Sequence, residues 1–205
     1  MRFLVVAAHP DPESFSAALT RQAVDSLTRA GHTVELLDLY AVGFRAAMNE
    51  HEHRLYQTPD TPLTAWADAD PMVAEHIRLV QQAEGLVIVY PTWWSAMPAI
   101  LKGWLERVLL PGVGFVFNEK GKVRPGLRNI EHLIGITTFG SPKLYVRFVN
   151  DNGRRTVQRT LRIATSFRAR FKWLALYSID TSTPDDRAHF LDKVDRALSG
   201  LKAGR

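Results

Sequence analysis

The chain has 205 residues, 46% hydrophobic and 23% charged, which suits a single α/β domain with an ordinary globular core. It contains no cysteine, so disulfides, Cys-ligated zinc and thiol nucleophiles are excluded. The formal charge of +5 favours anionic ligands or surfaces, but no nucleic-acid recognition module accompanies it, and no nucleic-acid partner is expected.

Phe3 to Ala8 is an unbroken apolar run, which predicts a strand buried on both faces. It is too short for a signal sequence, and no later run reaches the roughly 18 apolar residues of a membrane span. A cytoplasmic protein with no membrane span is therefore expected. Ser16 to Ala30 carries Leu19, Ala23, Leu27 and Ala30 at helical spacing, with Gly31 as the C-terminal cap. Thr33 to Leu37 predicts a short strand. Residues 40–70, rich in His, Pro and Asp, read as loop. Pro71 to Ala83 predicts a helix with Pro in its first turn. Gly85 to Tyr90 predicts a second buried strand, and Pro98 to Leu109 a helix stopped by Pro111. Residues 112–128 read as an extended excursion turning at Glu119-Lys120-Gly121. His132 to Thr138 is a further strand.

Arg154 to Phe167 predicts a basic helix with Arg155, Arg159 and Arg162 on one face. It is the centre of a cationic stretch: Lys143, Arg147, Arg154, Arg155, Arg159, Arg162, Arg168, Arg170 and Lys172 stand against Asp151 alone. Leu174 to Ile179 predicts the last strand. Pro184 to Leu198 predicts the last helix, capped by Thr183, with Asp185 and Asp186 at its positive end. Strand and helix alternate about five times, which predicts a doubly wound parallel sheet with helices on both faces. Five strands fit the flavodoxin-like order 2-1-3-4-5.

In such a sheet ligands sit beyond the carboxyl ends of the strands, where strand order reverses. That selects three loops: residues 9–17, 91–95 and 138–145. In the first, His9, Ser14 and Ser16 add donors to a helix start that attracts phosphate; equally, Ser14 merely caps the helix. The loop is neither G-x-G-x-x-G nor a Walker loop. The second holds Trp93 and Trp94 directly after a buried strand. They cannot both face the core, so one is a stacking surface for a flat ligand or closes an interface. The third carries Thr138, Gly140, Ser141 and Tyr145, which suit a ligand or a plain turn.

The run Tyr90-Pro91-Thr92-Trp93-Trp94-Ser95-Ala96-Met97-Pro98-Ala99-Ile100-Leu101-Lys102-Gly103-Trp104-Leu105-Glu106-Arg107-Val108 follows P-x-x-W-x-x-x-P-A-x-L-K-G-W-x-x-R-V. In this it resembles the NAD(P)H:quinone oxidoreductase (DT-diaphorase) family of flavodoxin-like flavoproteins. His9 with Ser14-Phe15 is similar to that family's flavin phosphate loop, and Thr137-Thr138 with Gly140 and Tyr145 to its T-T-G-G…Y segment. The resemblance implies FMN, or alternatively FAD, with NADPH or NADH as donor and a quinone or similar small molecule as acceptor. It implies that His9, Ser14, Phe15, Ser16 and Ala17 hold the phosphate and ribityl chain. Pro91, Thr92, Trp93 and Trp94 would line the isoalloxazine edge; Thr138, Phe139, Gly140 and Tyr145 would face its other side, with Tyr145 as the catalytic hydroxyl. It further implies a homodimer with the site at the interface.

The chain departs from the family pattern in three places. Ser16 stands where Asn is common, and Phe139 replaces a Gly, either narrowing the pocket or stacking on substrate. Asp151 stands where mammalian members carry a His, so that residue's role is not carried over. Two rival readings remain. The same family includes ancillary subunits of potassium efflux systems, which suggests a regulatory flavoprotein. Ala8-His9-Pro10-Asp11-Pro12-Glu13 resembles the A-H-P-D-D-E opening of zinc-dependent deacetylases, but Pro12 replaces a metal-binding Asp.

Overall fold

The computed structural model describes residues 1–58 and 61–202. In chain order, β1 (Arg2–Ala7) leads to α1 (Phe15–Arg29) and β2 (Thr33–Asp38). Then come α2 (Glu50–Gln57), α3 (Leu63–Ala69), α4 (Pro71–Gln82), β3 (Gly85–Pro91) and α5 (Ala99–Val108). β4 (Phe115–Phe117) and β5 (Val123–Pro125) form an antiparallel hairpin, the predicted excursion. β6 (His132–Thr138), α6 (Lys143–Phe148) and α7 (Asn152–Arg155) follow. α7 continues through a π segment (Thr156–Leu161) into α8 (Arg162–Ala164); β7 (Arg170–Leu176) and α9 (Pro184–Ser199) complete the fold.

The five long strands form a parallel sheet in the order β2-β1-β3-β6-β7, which is 2-1-3-4-5 counted within the sheet, as expected. Every residue of β3 and β6 is buried, because helices cover both faces and side chains alternate between them. Phe3, Val5, Val87 and Ile134 point to one side, where α1 and α9 add Leu19, Leu27, Phe190 and Val194. Leu4, Val6, Leu86 and Ile88 point to the other, packing with Ile77 of α4 and Leu101 and Trp104 of α5.

The helix ends follow the sequence signals. The Ser14 hydroxyl accepts from the Ala17 N–H at 3.1 Å. Gly31 adopts φ +82°, and the His32 N–H donates to Leu27 O at 3.1 Å, closing α1 with a left-handed cap. Thr183 and Asp186 form a reciprocal capping box at α9.

Four expectations are corrected. Residues 40–70 are not all loop, since α2 and α3 lie there; residues 59–60 fall outside the described residues. The last strand begins at Arg170, not Leu174, and ends at Leu176. It is an edge strand whose Arg170 and Lys172 break the apolar run; Lys172 Nζ donates to Ala197 O at 2.7 Å. The basic helix starts at Asn152 and ends at Ala164, and its π segment adds a residue to the turn. Arg155 and Arg159 are exposed, but Arg162 leans over the Phe167 ring at 5.6 Å. Residues 143–145, read as part of the loop 138–145, begin α6, which runs to Phe148.

Candidate active site

β1, β3 and β6 end side by side, in register through Ala7↔Val89 and Pro91↔Thr138. Strand order reverses between β1 and β3, so the three loops selected from sequence open at one edge of the sheet.

The first loop runs from β1 into α1. The His9 ring accepts from the Asp11 N–H through Nδ1 at 3.0 Å, fixing the Pro-Asp-Pro turn. Its face lies 5.7 Å from the Trp93 ring, which joins the first loop to the second. Ser14 spends its oxygen on the cap, and the Ala18 N–H starts the helical ladder on Ser14 O. The N–H groups of Phe15 and Ser16 are thus the open donors at the positive end of the helix. Ser16 is buried and Ala17 half-buried, while the Phe15 ring turns away to pack 6.5 Å from Phe190.

The second loop is a tight turn. Trp93 and Ala96 exchange backbone hydrogen bonds at 3.0 and 3.1 Å, and Trp94 and Ser95 between them hold φ +49° and +61°. Two successive left-handed residues make the mirror-image turn that Asn-Gly usually fills. A tryptophan and a serine there store strain, of order 1–2 kcal/mol each. The strain holds the Trp94 side chain out from the fold: Trp94 is 100% exposed and Trp93 41%. Pro91 is buried at the end of β3.

The third loop is stitched to the second. The Thr92 N–H donates to Thr138 O at 2.8 Å, and the Thr92 and Thr137 hydroxyls are 3.1 Å apart. Phe139 is buried and stacks on Tyr177 with ring centres 5.0 Å apart, so its ring is already engaged with Tyr177. A Cβ at Gly140 would stand 2.5 Å from an Asp180 carboxylate oxygen, the movable end of an exposed side chain. Tyr145 projects from α6 and is half-exposed.

A cavity of about 230 Å³ lies between the second and third loops. Of the residues singled out in the sequence, Thr92, Trp94, Phe139, Gly140, Ser141 and Tyr145 line it. His9, Pro91, Trp93 and Thr138 flank it or support its walls, and Ser14, Phe15, Ser16 and Ala17 form the start of α1 beside it. Sequence reasoning gave no site role to Ser95, Val146, Val149 and Asp151, which complete the lining. Asp151 had a visible signal, as the lone acid in a basic stretch.

A larger groove of about 540 Å³ lies elsewhere, against α2, α5, β4 and the π segment. Its lining is mostly apolar and none of the strand-end residues reaches it. The strand-end cavity, and not this groove, lies where the strand order reverses.

Comparison with known proteins agrees with this fold. A family described as having the flavodoxin-like fold matches residues 1–198. The chain belongs to this family. Within the flavodoxin-like proteins, it is 30% identical to the ribosyldihydronicotinamide dehydrogenase [quinone] of Mus musculus, across 98% of this chain and 91% of that relative. It is 31% identical to NAD(P)H dehydrogenase [quinone] 1 of Cavia porcellus, across 70% of this chain and 55% of that relative. An NAD(P)H:quinone oxidoreductase from Methanothermobacter marburgensis superposes with a TM-score of 0.82 at 25% identity, covering 98% of this chain and 99% of the other. Neither the transporter-subunit reading nor the zinc reading gains support from these relatives. Among the described residues no cluster of His, Asp and Glu is placed to hold a metal ion, and no helix is long and apolar enough to cross a membrane.

Proposed function

We propose that this flavodoxin-like protein binds a flavin at the strand-end cavity and uses it to transfer two electrons from NAD(P)H to a quinone or similar small acceptor. The carrying observation is the strained turn that holds the Trp94 indole fully exposed beside a cavity lined by hydroxyls and glycine. A flat ring system gains by stacking there what the turn costs in backbone strain. The quinone-reductase names of the full-length mouse relative and the archaeal structure support the acceptor class.

The donor set fits a flavin monophosphate. The open N–H groups of Phe15 and Ser16, with the Ser16 hydroxyl, suit a terminal phosphate at the start of α1, while His9, Ser14 and Ala17 shape that cradle. FMN ends in such a phosphate, so it is the flavin of this reading, with FAD as the larger alternative. A bound ring would have Pro91, Thr92, Trp93 and Trp94 along one edge, with Thr138, Phe139, Gly140 and Tyr145 on its other side; Thr92, Trp94, Phe139, Gly140 and Tyr145 line the cavity itself. When bound, the flavin supplies hydride chemistry that no side chain offers, accepting from NADH or NADPH and giving to the acceptor in alternation. These residues would orient the ring, and the Tyr145 hydroxyl, in the cavity wall, would be placed to stabilise developing negative charge.

The same reading includes a cytoplasmic homodimer with the site at its interface. Trp94, Leu144, Tyr145 and Phe148 leave a wide apolar rim around the cavity, with Leu144 and Phe148 77% and 87% exposed. Met48, Tyr56, Leu105, Leu109, Phe115 and Leu161 line the second groove, another apolar surface for a partner copy. Sedimentation is expected to give twice the chain mass. The purified protein is expected to be yellow, to bleach on adding NADH or NADPH under nitrogen, and to regain colour with benzoquinone. A colourless protein with no affinity for added FMN or FAD overturns the reading.

A further inference from the structure

We propose that Arg155 and Arg159, exposed on the helix that leaves the strand-end cavity, bind the adenosine 2′-phosphate of the hydride donor and so select NADPH over NADH. The inference rests on the flavin reading above and adds to it the choice of donor.

Three observations carry it. First, the helix that bears these arginines starts at the cavity. Asp151, in the cavity wall, caps α7 by accepting from the Arg154 N–H at 3.1 Å, and the helix then continues through the π segment into α8. Gly153 and Val157 are buried and Thr156 and Thr160 line the second groove, which leaves Arg155 and Arg159 on the open side. From Asp151 to Arg159 the helix advances roughly 12 Å. Second, the cations of this wall are not held by acids. Among the described residues Lys143, Arg147, Arg154, Arg155 and Arg159 form no ion pair, whereas Arg29, Arg54, Arg78, Lys102 and Arg107 each hold a carboxylate. Arg155 and Arg159 stand about one turn apart, where like charges repel and an anion between them removes the repulsion. Third, the positive band reaches back to the cavity. Arg154 Nε is buried with no hydrogen-bond partner, a donor still to be satisfied. Lys143 Nζ stands 6.0 Å from the Tyr177 ring, which stacks on Phe139 of the cavity lining.

The chemistry of the donor matches this layout. A dinucleotide that stacks its nicotinamide at the cavity carries its adenosine ribose farther out, beyond a second ribose and two bridging phosphates. Both donors share the bridging phosphates, so Lys143 and Arg154 would serve either. NADPH differs by one phosphomonoester on the adenosine ribose, which adds about −1.5 to −2 charge at neutral pH. Guanidinium groups meet such a group with paired, charge-assisted hydrogen bonds. Arg155 and Arg159, farther along the helix, are the pair that tells the two donors apart.

The oxidised holoprotein is mixed anaerobically with NADPH and, separately, with NADH, and flavin bleaching is followed. The bimolecular rate is expected to be at least about tenfold greater with NADPH, the scale of one charge-assisted contact. Added salt should shrink that advantage by screening exposed charges. Arg155→Gln with Arg159→Gln should lower the NADPH-to-NADH ratio about tenfold. Both positions are exposed, so the double variant should unfold at the wild-type temperature. A second readout needs no turnover. Calorimetric titration of the holoprotein should show adenosine 2′,5′-bisphosphate binding about tenfold tighter than adenosine 5′-monophosphate, and the double variant should bind the two alike. A wild-type ratio near one would overturn the inference while leaving the flavin reading intact. So would a double variant that slows both donors equally, which is the mark of a general charge effect. Wild-type protein that binds no flavin would remove both.

Discussion

Ser95 and Trp94 hold a conformation that glycine adopts at no steric cost, so the turn trades stability for the placement of an indole. Ser95→Gly is therefore expected to raise stability by up to about 1 kcal/mol. The same change should weaken flavin binding, because a freer turn no longer fixes Trp94; thermal unfolding and flavin titration read the two effects. Trp94→Ala removes a side chain that touches water alone, so its unfolding temperature should be unchanged while flavin is lost on dialysis. Tyr145→Phe removes one hydroxyl from the cavity wall. It should lower turnover about tenfold, the scale of a single hydrogen bond, with flavin content intact. Unchanged turnover would take Tyr145 out of the chemistry. These residues were partly legible in the sequence. The paired tryptophans and Gly140 announced themselves by type, but strain leaves no mark in composition, so Ser95 went unnoticed.

At the scale of elements, the long motif after β3 has two jobs. Its first half forms the turn at the cavity; its second half anchors α5. Trp104 is fully buried, and a Cβ on Gly103 would stand 2.1 Å from Ala46 O, so only glycine lets the helix approach that backbone. Arg107, 1% exposed, donates through Nε to Glu52 at 2.8 Å and through a terminal nitrogen to Asp70 at 2.5 Å, and it also reaches Arg45 O. This joins α5 to the capping box of α2 and to the N-cap of α4. Arg107→Leu takes the buried cation from the Glu52 carboxylate, leaving Arg45 at 3.9 Å and the Asn49 N–H, and should cost about 3 kcal/mol in denaturant unfolding. Arg107→Leu with Glu52→Leu should recover much of that loss. α2 escaped sequence reading because its buried anchor is a charged residue, Glu52, and not an apolar stripe. The start of β7 was set too late for a related reason: Arg170 and Lys172 disguise the first residues of an edge strand.

For the whole molecule, the central strands were legible because burial on both faces writes an unbroken apolar run. The switch point then followed from strand order alone. What the sequence left unread is how charge is carried inside. His76 is buried against Phe44, with ring centres 5.4 Å apart, and its Nδ1 has no hydrogen-bond partner. Burial lowers its pKa, more than the Asp70 and Glu75 charges raise it. A histidine held neutral in the fold protonates more readily in the unfolded chain. Its contribution is complete above pH about 6.5 and is lost as pH falls toward the lowered folded pKa. The unfolding temperature should decline with acid over that range, and less steeply in His76→Leu. His132, also lowered by burial, should add to the same slope.

The five indoles divide sharply by setting. Trp66 and Trp104 are sealed in the core, Trp173 is half-covered, and Trp93 and Trp94 meet solvent at the cavity. Iodide should therefore extinguish the emission of the last pair and spare that of the core. A molecule seated against them should shield that emission from iodide or quench it directly. The protein thus carries an intrinsic optical reporter of occupancy at its own entrance, and needs no added label.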